Sequence, residues 1–152
     1  MISKYHHMKA YDIQFEDGAA PQSHEIQTAL FLKKHGKKIT FLAPKNQNRI
    51  KTPDIKMDGK MWEIKSPVST GSRTIEAAFR QALKQAENII FDLRRSKAND
   101  SANISKINKQ IGLISHKKLK RVIVITKAQE ILDINNRPST IKIQAMRPLL
   151  DS

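Results

Sequence analysis

Cysteine is missing from this 152-residue chain. Disulfides and thiolate metal sites are therefore excluded, and the redox compartment cannot be read from thiol usage. Aromatic residues make up only 5%, which argues against a stacking platform for single-stranded nucleic acid. No apolar run approaches the roughly 20 residues that a membrane-spanning helix needs. The opening MISKYHHMKAYDIQ lacks the apolar core of a signal peptide. The five histidines, His6, His7, His24, His35 and His116, show no metal-ligand spacing such as H-E-x-x-H. Internal repeats are also lacking.

Positive charge is abundant. Lys and Arg total 28 against 14 Asp and Glu, for a formal net charge of +14. Such an excess repels itself and is usually kept for an anionic partner. The basic stretches are Lys33-Lys34, Lys37-Lys38, Arg94-Arg95, and Lys117-Lys118 with Lys120-Arg121. A single basic run is most often a solvated surface. With this total excess, some of them are expected to grip a phosphate backbone. Lys117, Lys118, Lys120 and Arg121, which precede the RVIVIT strand, are the candidates for nucleic-acid binding.

Residues 1–20 read as a partly structured N-terminal extension, with YDIQF as a short strand and EDGAAP as a turn. Residues 21–152 read as one domain. SHEIQTALFLKKHG suits a helix with Ser23 as N-cap, Glu25 in the first turn and His35-Gly36 at its end. KKITFLAP reads as a buried strand ended by Pro44, and KNQNRIKT as a basic loop. Apolar residues at helical spacing from Ile75 to Leu93 predict a long helix over about 74–95. SKANDSAN reads as a loop and ISKINKQIGLISHKKL as a helix. RVIVIT is a buried strand, and EILDI is its hairpin partner or a short helix. NNRPS is a turn, and the tail IKIQAMRPLLDS is ambiguous. The alternation predicts an α/β fold, with a mixed sheet flanked by helices.

The stretch TPDIKMDGKMWEIKSP carries the chemistry. Asp58-Gly59 suits a two-residue type I′ turn, in which both central residues have positive φ. Pairing 57 with 60, 56 with 61 and 55 with 62 then sets 54 opposite 63. Side chains alternate faces. One face holds Ile55, Met57, Trp62 and Ile64, and the other holds Asp54, Lys56, Met61, Glu63 and Lys65. Asp54 and Glu63 would have Cβ atoms about 5 Å apart, and like charges so placed are destabilising. A divalent cation resolves the conflict, since Mg²⁺ takes carboxylates, water and substrate phosphate. Lys65, on the same face, can hold a water or stabilise charge at phosphorus. The plainer alternative is a solvated hairpin whose lysines pair its acids.

Pro53-Asp54 followed by Glu63-Ile64-Lys65 resembles the PD-(D/E)xK nuclease superfamily. The order helix, strand, strand, strand, helix, strand is similar to its core. Three stretches resemble more closely the C-terminal toxin domains of CdiA proteins from contact-dependent inhibition systems. They are HEIQTALFLKKHGKKITFL, TPDIKMDGKMWEIKSP and TIEAAFRQALKQAENIIFDL, over roughly residues 23–95, with RVIVIT matching a later strand. The resemblance implies a Mg²⁺-dependent (or Mn²⁺ or other divalent cation) endonuclease, acting on tRNA and blocked by an acidic cognate immunity protein. It implies action in a bacterial cytoplasm, with delivery as the end of a larger secreted toxin. It implies Glu25, Asp54, Glu63 and Lys65 as the catalytic set. Asp54, Glu63, Glu25 and the Ile64 carbonyl are the implied metal ligands. Gln85, in the run Lys-Gln-Ala-x-Asn, is an implied supporting residue. His24, beside Glu25, and Ser66, in a loop leading to a helix start, are further candidates. A DNA endonuclease of a phage or mobile element is the runner-up. A non-catalytic binding module gains nothing from two acids facing phosphate, and an immunity-type protein would carry the opposite charge.

Overall fold

The computed structural model describes residues 13–45 and 51–137. His6, His7, the middle of the KNQNRIKT loop, the end of the NNRPS turn and the tail lie outside them. Seven strands form one mixed sheet in sequence order: β1 (Ile13–Phe15), β2 (Ile39–Phe41), β3 (Ile55–Met57), β4 (Lys60–Lys65), β5 (Asn88–Asp92), β6 (Arg121–Ile125) and β7 (Ile131–Asn135). The helices are α1 (Ser23–Lys34), α2 (Thr74–Ala82) and α3 (Asp100–Leu113). Each lies in the crossover between two parallel neighbours: β1 and β2, β4 and β5, β5 and β6. The hairpins β3–β4 and β6–β7 are antiparallel, as is the β2–β3 pair.

Helices cover both faces of the sheet. Ala29, Phe31 and Leu32 of α1 pack on Ile39, Ile55, Trp62, Ile64 and Ile90. On the other face, Ile75 and Phe79 of α2 and Ile107 and Ile111 of α3 pack on Ile89, Phe91, Val122 and Val124. Burying each such side chain is worth about 1.5–3 kcal/mol relative to leaving it in water. Chain entropy opposes most of that gain.

The expected long helix over 74–95 divides in two. Ile75, Phe79 and Ala82 bury one face of α2, which ends at Ala82. Residues 88–92 then form β5, buried on both faces between β4 and β6. A central parallel strand reads as a continuous apolar run, and Ile89-Ile90-Phe91 is such a run. Ile90 turns to the α1 face while Ile89 and Phe91 turn to the other. Its fit to the preceding helical spacing is a coincidence of phase.

The N-cap of α1 is Gln22 instead of the expected Ser23. Glu25 Oε2 accepts the Gln22 N–H at 2.9 Å, which satisfies a donor at the helix start. Gly36, with φ of +83°, ends α1 in the left-handed region as the sequence suggests. Helix α3 begins inside the expected SKANDSAN loop. Asn99 caps it, its side chain accepting the Ala102 N–H. EILDI resolves as the hairpin partner of RVIVIT.

Candidate active site

The β3–β4 hairpin folds in the register that its turn dictates. Asp58 and Gly59 both have positive φ, 54° and 73°, and Ile55, Lys56 and Met57 pair with Trp62, Met61 and Lys60. The regular ladder stops there. The Asp54 N–H donates to the Trp62 carbonyl at 3.1 Å. Asp54 Oδ2 then accepts the Ile64 N–H at 2.8 Å. A side-chain oxygen thus takes a ladder donor next to Glu63. The Asp54 carboxyl is near enough for its charge to act on Glu63.

Glu63 is the unusual residue. It is 4% exposed, and charged residues are almost never buried so deeply unless paired. Its ladder partner is Ile89, so its side chain shares the face covered by α2 and α3. Because α2 ends at Ala82, the following turn brings Gln85 back over this position. Gln85 Nε2 donates to Glu63 Oε2 at 2.5 Å. Lys65 Nζ stands 3.7 Å from the same oxygen. Glu63 Oε1 is buried with no hydrogen-bond partner among the described residues. Burial, followed by the Asp54 charge, pushes the Glu63 carboxyl up to about 9.

Glu25 approaches from α1. It is half-buried, and burial followed by the Asp54 charge raises its carboxyl above the usual range. No group of three or more His, Cys, Asp or Glu side chains is gathered closely enough to hold a metal among the described residues. The donor set is instead two carboxyls with a third nearby. Such a set fits Mg²⁺, which commonly takes one or two carboxylates and fills its remaining positions with water and phosphate. Burial, the larger cause of the raised Glu63 pKa, disfavours the ionised carboxylate at this position.

A cavity of about 650 Å³ opens beside this set, lined in part by Glu25, Asp54, Gln85, Lys45 and Lys51. The two lysines stand at either end of the basic loop that precedes Pro53-Asp54. The basic loop leading into the Asp was the available signal for placing them near the site. A second cavity of about 500 Å³ holds Gln85, Lys60, Asn88 and Lys120. A third, of about 300 Å³, holds His24, Ser66 and Arg95. His24 is pushed below its usual pKa by burial and then by the Arg95 charge.

The remaining candidates are dispersed. Ile64 buries its side chain in the α1-side core while its N–H binds Asp54. Lys117 and Lys118 are exposed beyond α3. Arg121 is already engaged, ion-paired to Asp133 at 2.5 Å with its guanidinium 5.1 Å from the Trp62 ring centre. Of that basic run, Lys120 lines a cavity with Gln85. No helix among the described residues is long and apolar enough to cross a membrane.

Comparison with known proteins agrees with this architecture. The family model of the contact-dependent growth inhibition CdiA C-terminal domain matches residues 51–131, which run from before Asp54 to β7. No curated protein matches the sequence. The structure is similar to a CdiA-CT/CdiI toxin and immunity complex from Burkholderia pseudomallei, with a TM-score of 0.59 and 25% identity. That match covers 81% of this chain and 98% of the other. The chain belongs to the contact-dependent growth inhibition CdiA C-terminal domain family.

Proposed function

We propose that the chain is a toxin domain of bacterial competition and a divalent-cation-dependent endonuclease of the PD-(D/E)xK type. The observation that carries the nuclease reading is the buried Glu63. It lies against Asp54 with one oxygen unpartnered, and Lys65 sits 3.7 Å from its other oxygen. A solvated hairpin would leave Glu63 exposed.

Asp54 and Glu63 would hold the cation, with the Ile64 carbonyl as a further oxygen ligand. A bound divalent cation lowers the pKa of a water and polarises a phosphoryl oxygen. Asp54 keeps its orientation through the Ile64 N–H. Gln85 donates to Glu63 Oε2 and leaves Oε1 without a partner among the described residues. Glu25 supports the cation or a water of its shell. Lys65 positions the attacking water or stabilises the negative charge that develops at phosphorus. Lys45 and Lys51 draw the polyanionic strand into the cavity.

The substrate is RNA, with tRNA as the favoured class on family resemblance. A cognate immunity protein of acidic character is the expected partner, supported by the related toxin and immunity complex and by the net charge of +14. The toxin acts in the cytoplasm of a target cell. Incubating the purified chain with total RNA and with plasmid DNA, with and without Mg²⁺, tests the reading. Mg²⁺-dependent RNA fragments are expected. Cutting of plasmid alone would reassign the substrate, and no cutting of either would remove the nuclease reading.

A further inference from the structure

We propose that Arg95, held by Ser66, binds the backbone phosphate that neighbours the scissile one. The inference rests on the nuclease reading above. Ser66 directly follows Lys65, so a group bound at Ser66 lies one residue from the proposed catalytic lysine, with Cα atoms about 3.8 Å apart. Arg95 Nε donates to Ser66 Oγ at 3.1 Å, and its terminal Nη2 donates to the Ser66 carbonyl at 3.2 Å. These bonds anchor the guanidinium at the end of β4. A guanidinium carries more N–H donors than the two bonds use.

The neighbouring Arg94 shows what a structural arginine looks like here. It donates to both Asp92 oxygens and to the Gln27 carbonyl, and it lies 4.6 Å from the Phe31 ring centre. Arg95 is exposed. Among the described residues no carboxylate lies within ion-pair distance of it. An anchored, uncompensated guanidinium at the edge of a cavity suits phosphate, for which its planar fork is well shaped.

The cavity has the matching surroundings. Its volume is about 300 Å³, and Ser23, His24, Gln27, Ser66, Asp92, Arg94 and Arg95 line it; the Asp92 carboxylate is taken up by Arg94 and Thr28. Ser23 and His24 open α1, whose first backbone N–H groups add partial positive charge beside Arg95. His24 directly precedes Glu25 and Ser66 directly follows Lys65, so this cavity lies next to residues of the proposed carboxylate site. A strand whose scissile phosphate sits at Asp54 and Glu63 would carry its next phosphate past His24 to Arg95.

The test combines kinetics with a ligand titration. For RNA cleavage, Arg95→Ala is expected to raise KM about tenfold with kcat retained. The slope of log binding constant against log salt should fall by about 1, the value for one lost phosphate contact. Arg95→Lys should restore the slope but only part of KM, because it keeps the charge and loses the fork. Separately, inorganic phosphate should shift the Ser66 amide and Arg95 Nε–H signals in NMR spectra of the full chain. It should leave the Ser66 amide unmoved in Arg95→Ala. Unchanged KM and slope in a chain that cleaves RNA would overturn the subsite and leave the nuclease reading standing. If the chain cleaves nothing, the phosphate titration still decides, and unmoved Ser66 and Arg95 signals overturn the subsite. The exposed position of Arg95 lets its variants fold.

Discussion

Gln85 reaches across 22 residues of sequence to donate its amide to the buried Glu63 at 2.5 Å. The contact exists because α2 ends at Ala82 and the chain turns before β5. It gives a buried carboxyl one fixed oxygen and leaves the other without a partner. Nearly every expectation about the site depends on this carboxyl and its neighbours.

Gln85→Leu removes the donor and leaves Glu63 Oε2 with Lys65 as its one close polar contact. Stability is expected to fall by about 1–3 kcal/mol in urea unfolding, the usual cost of an unmet buried polar group. Cleavage should fall roughly 10- to 100-fold, as is typical when a ligand's supporting contact is lost. Wild-type activity in a folded Gln85→Leu protein would show that Glu63 needs no such support.

Stability should depend on pH through Glu63. Its carboxyl is raised from 4.5 to about 9, so between those values the folded state keeps a proton that the unfolded chain has released. Folding stability should then fall as pH rises through this window. Urea midpoints measured at pH 5, 7 and 9 without divalent cation should decline. The decline should be smaller in Glu63→Gln and smaller with Mg²⁺ present. An identical pH profile in wild type and Glu63→Gln would contradict the burial of this charge.

The Asp92 cluster ties α1 to the sheet, since Thr28 of α1 donates to Asp92 Oδ2 at 2.6 Å and Arg94 donates to both Asp92 oxygens. Burial alone would raise the Asp92 pKa, but the hydrogen bonds from Arg94 and Thr28 hold it below the usual carboxylate range. Its contribution is present above that range and lost as pH falls through the depressed value. Asp92→Ala is expected to destabilise by about 1.5–3 kcal/mol, the scale for hydrogen bonds to charged groups. Cleavage should weaken too, because α1 carries Glu25 and His24. Thermal unfolding beside kinetics checks both effects.

The hairpin turn sets the register of the site. Gly59→Ala places a Cβ at φ of +73°, which costs about 1–2 kcal/mol. No atom crowds the added Cβ, so the loss should be conformational only. Unfolding should show that loss with cleavage per folded molecule preserved. A loss of cleavage larger than the loss of folded protein would mean that Gly59 also contacts substrate.

Local rules made the hairpin legible. Asp-Gly between alternating runs specifies a turn, and the turn places Asp54 near Glu63. The strand β5 was hidden because Ile89, Ile90 and Phe91 keep step with the helix before them. Only β4 and β6, distant in sequence, make a strand the better burial for that run. Charge was equally opaque. Arg94 and Arg95 are identical in sequence terms, yet one is locked to Asp92 and the other is anchored beside a cavity. Arg121, one of the basic residues named for phosphate, pairs with Asp133 and lies over Trp62, which its sequence neighbours do not announce. Side-chain alternation put Glu63 and Lys65 on one face of the hairpin, but the depth of Glu63's burial is set by helices that packing brings over it.

The cation site is tested most directly by one rate measurement. The initial rate of cleavage of end-labelled tRNA would be compared in Mg²⁺ and in EDTA, for wild type and Glu63→Gln. Glu63→Gln keeps the side chain's size and its capacity to hydrogen-bond while removing the charge. Rapid cleavage by wild type in Mg²⁺ is expected, with background rates in EDTA and in Glu63→Gln under both conditions. Undiminished cleavage in EDTA, or by Glu63→Gln, would contradict the two-carboxylate site at Asp54 and Glu63.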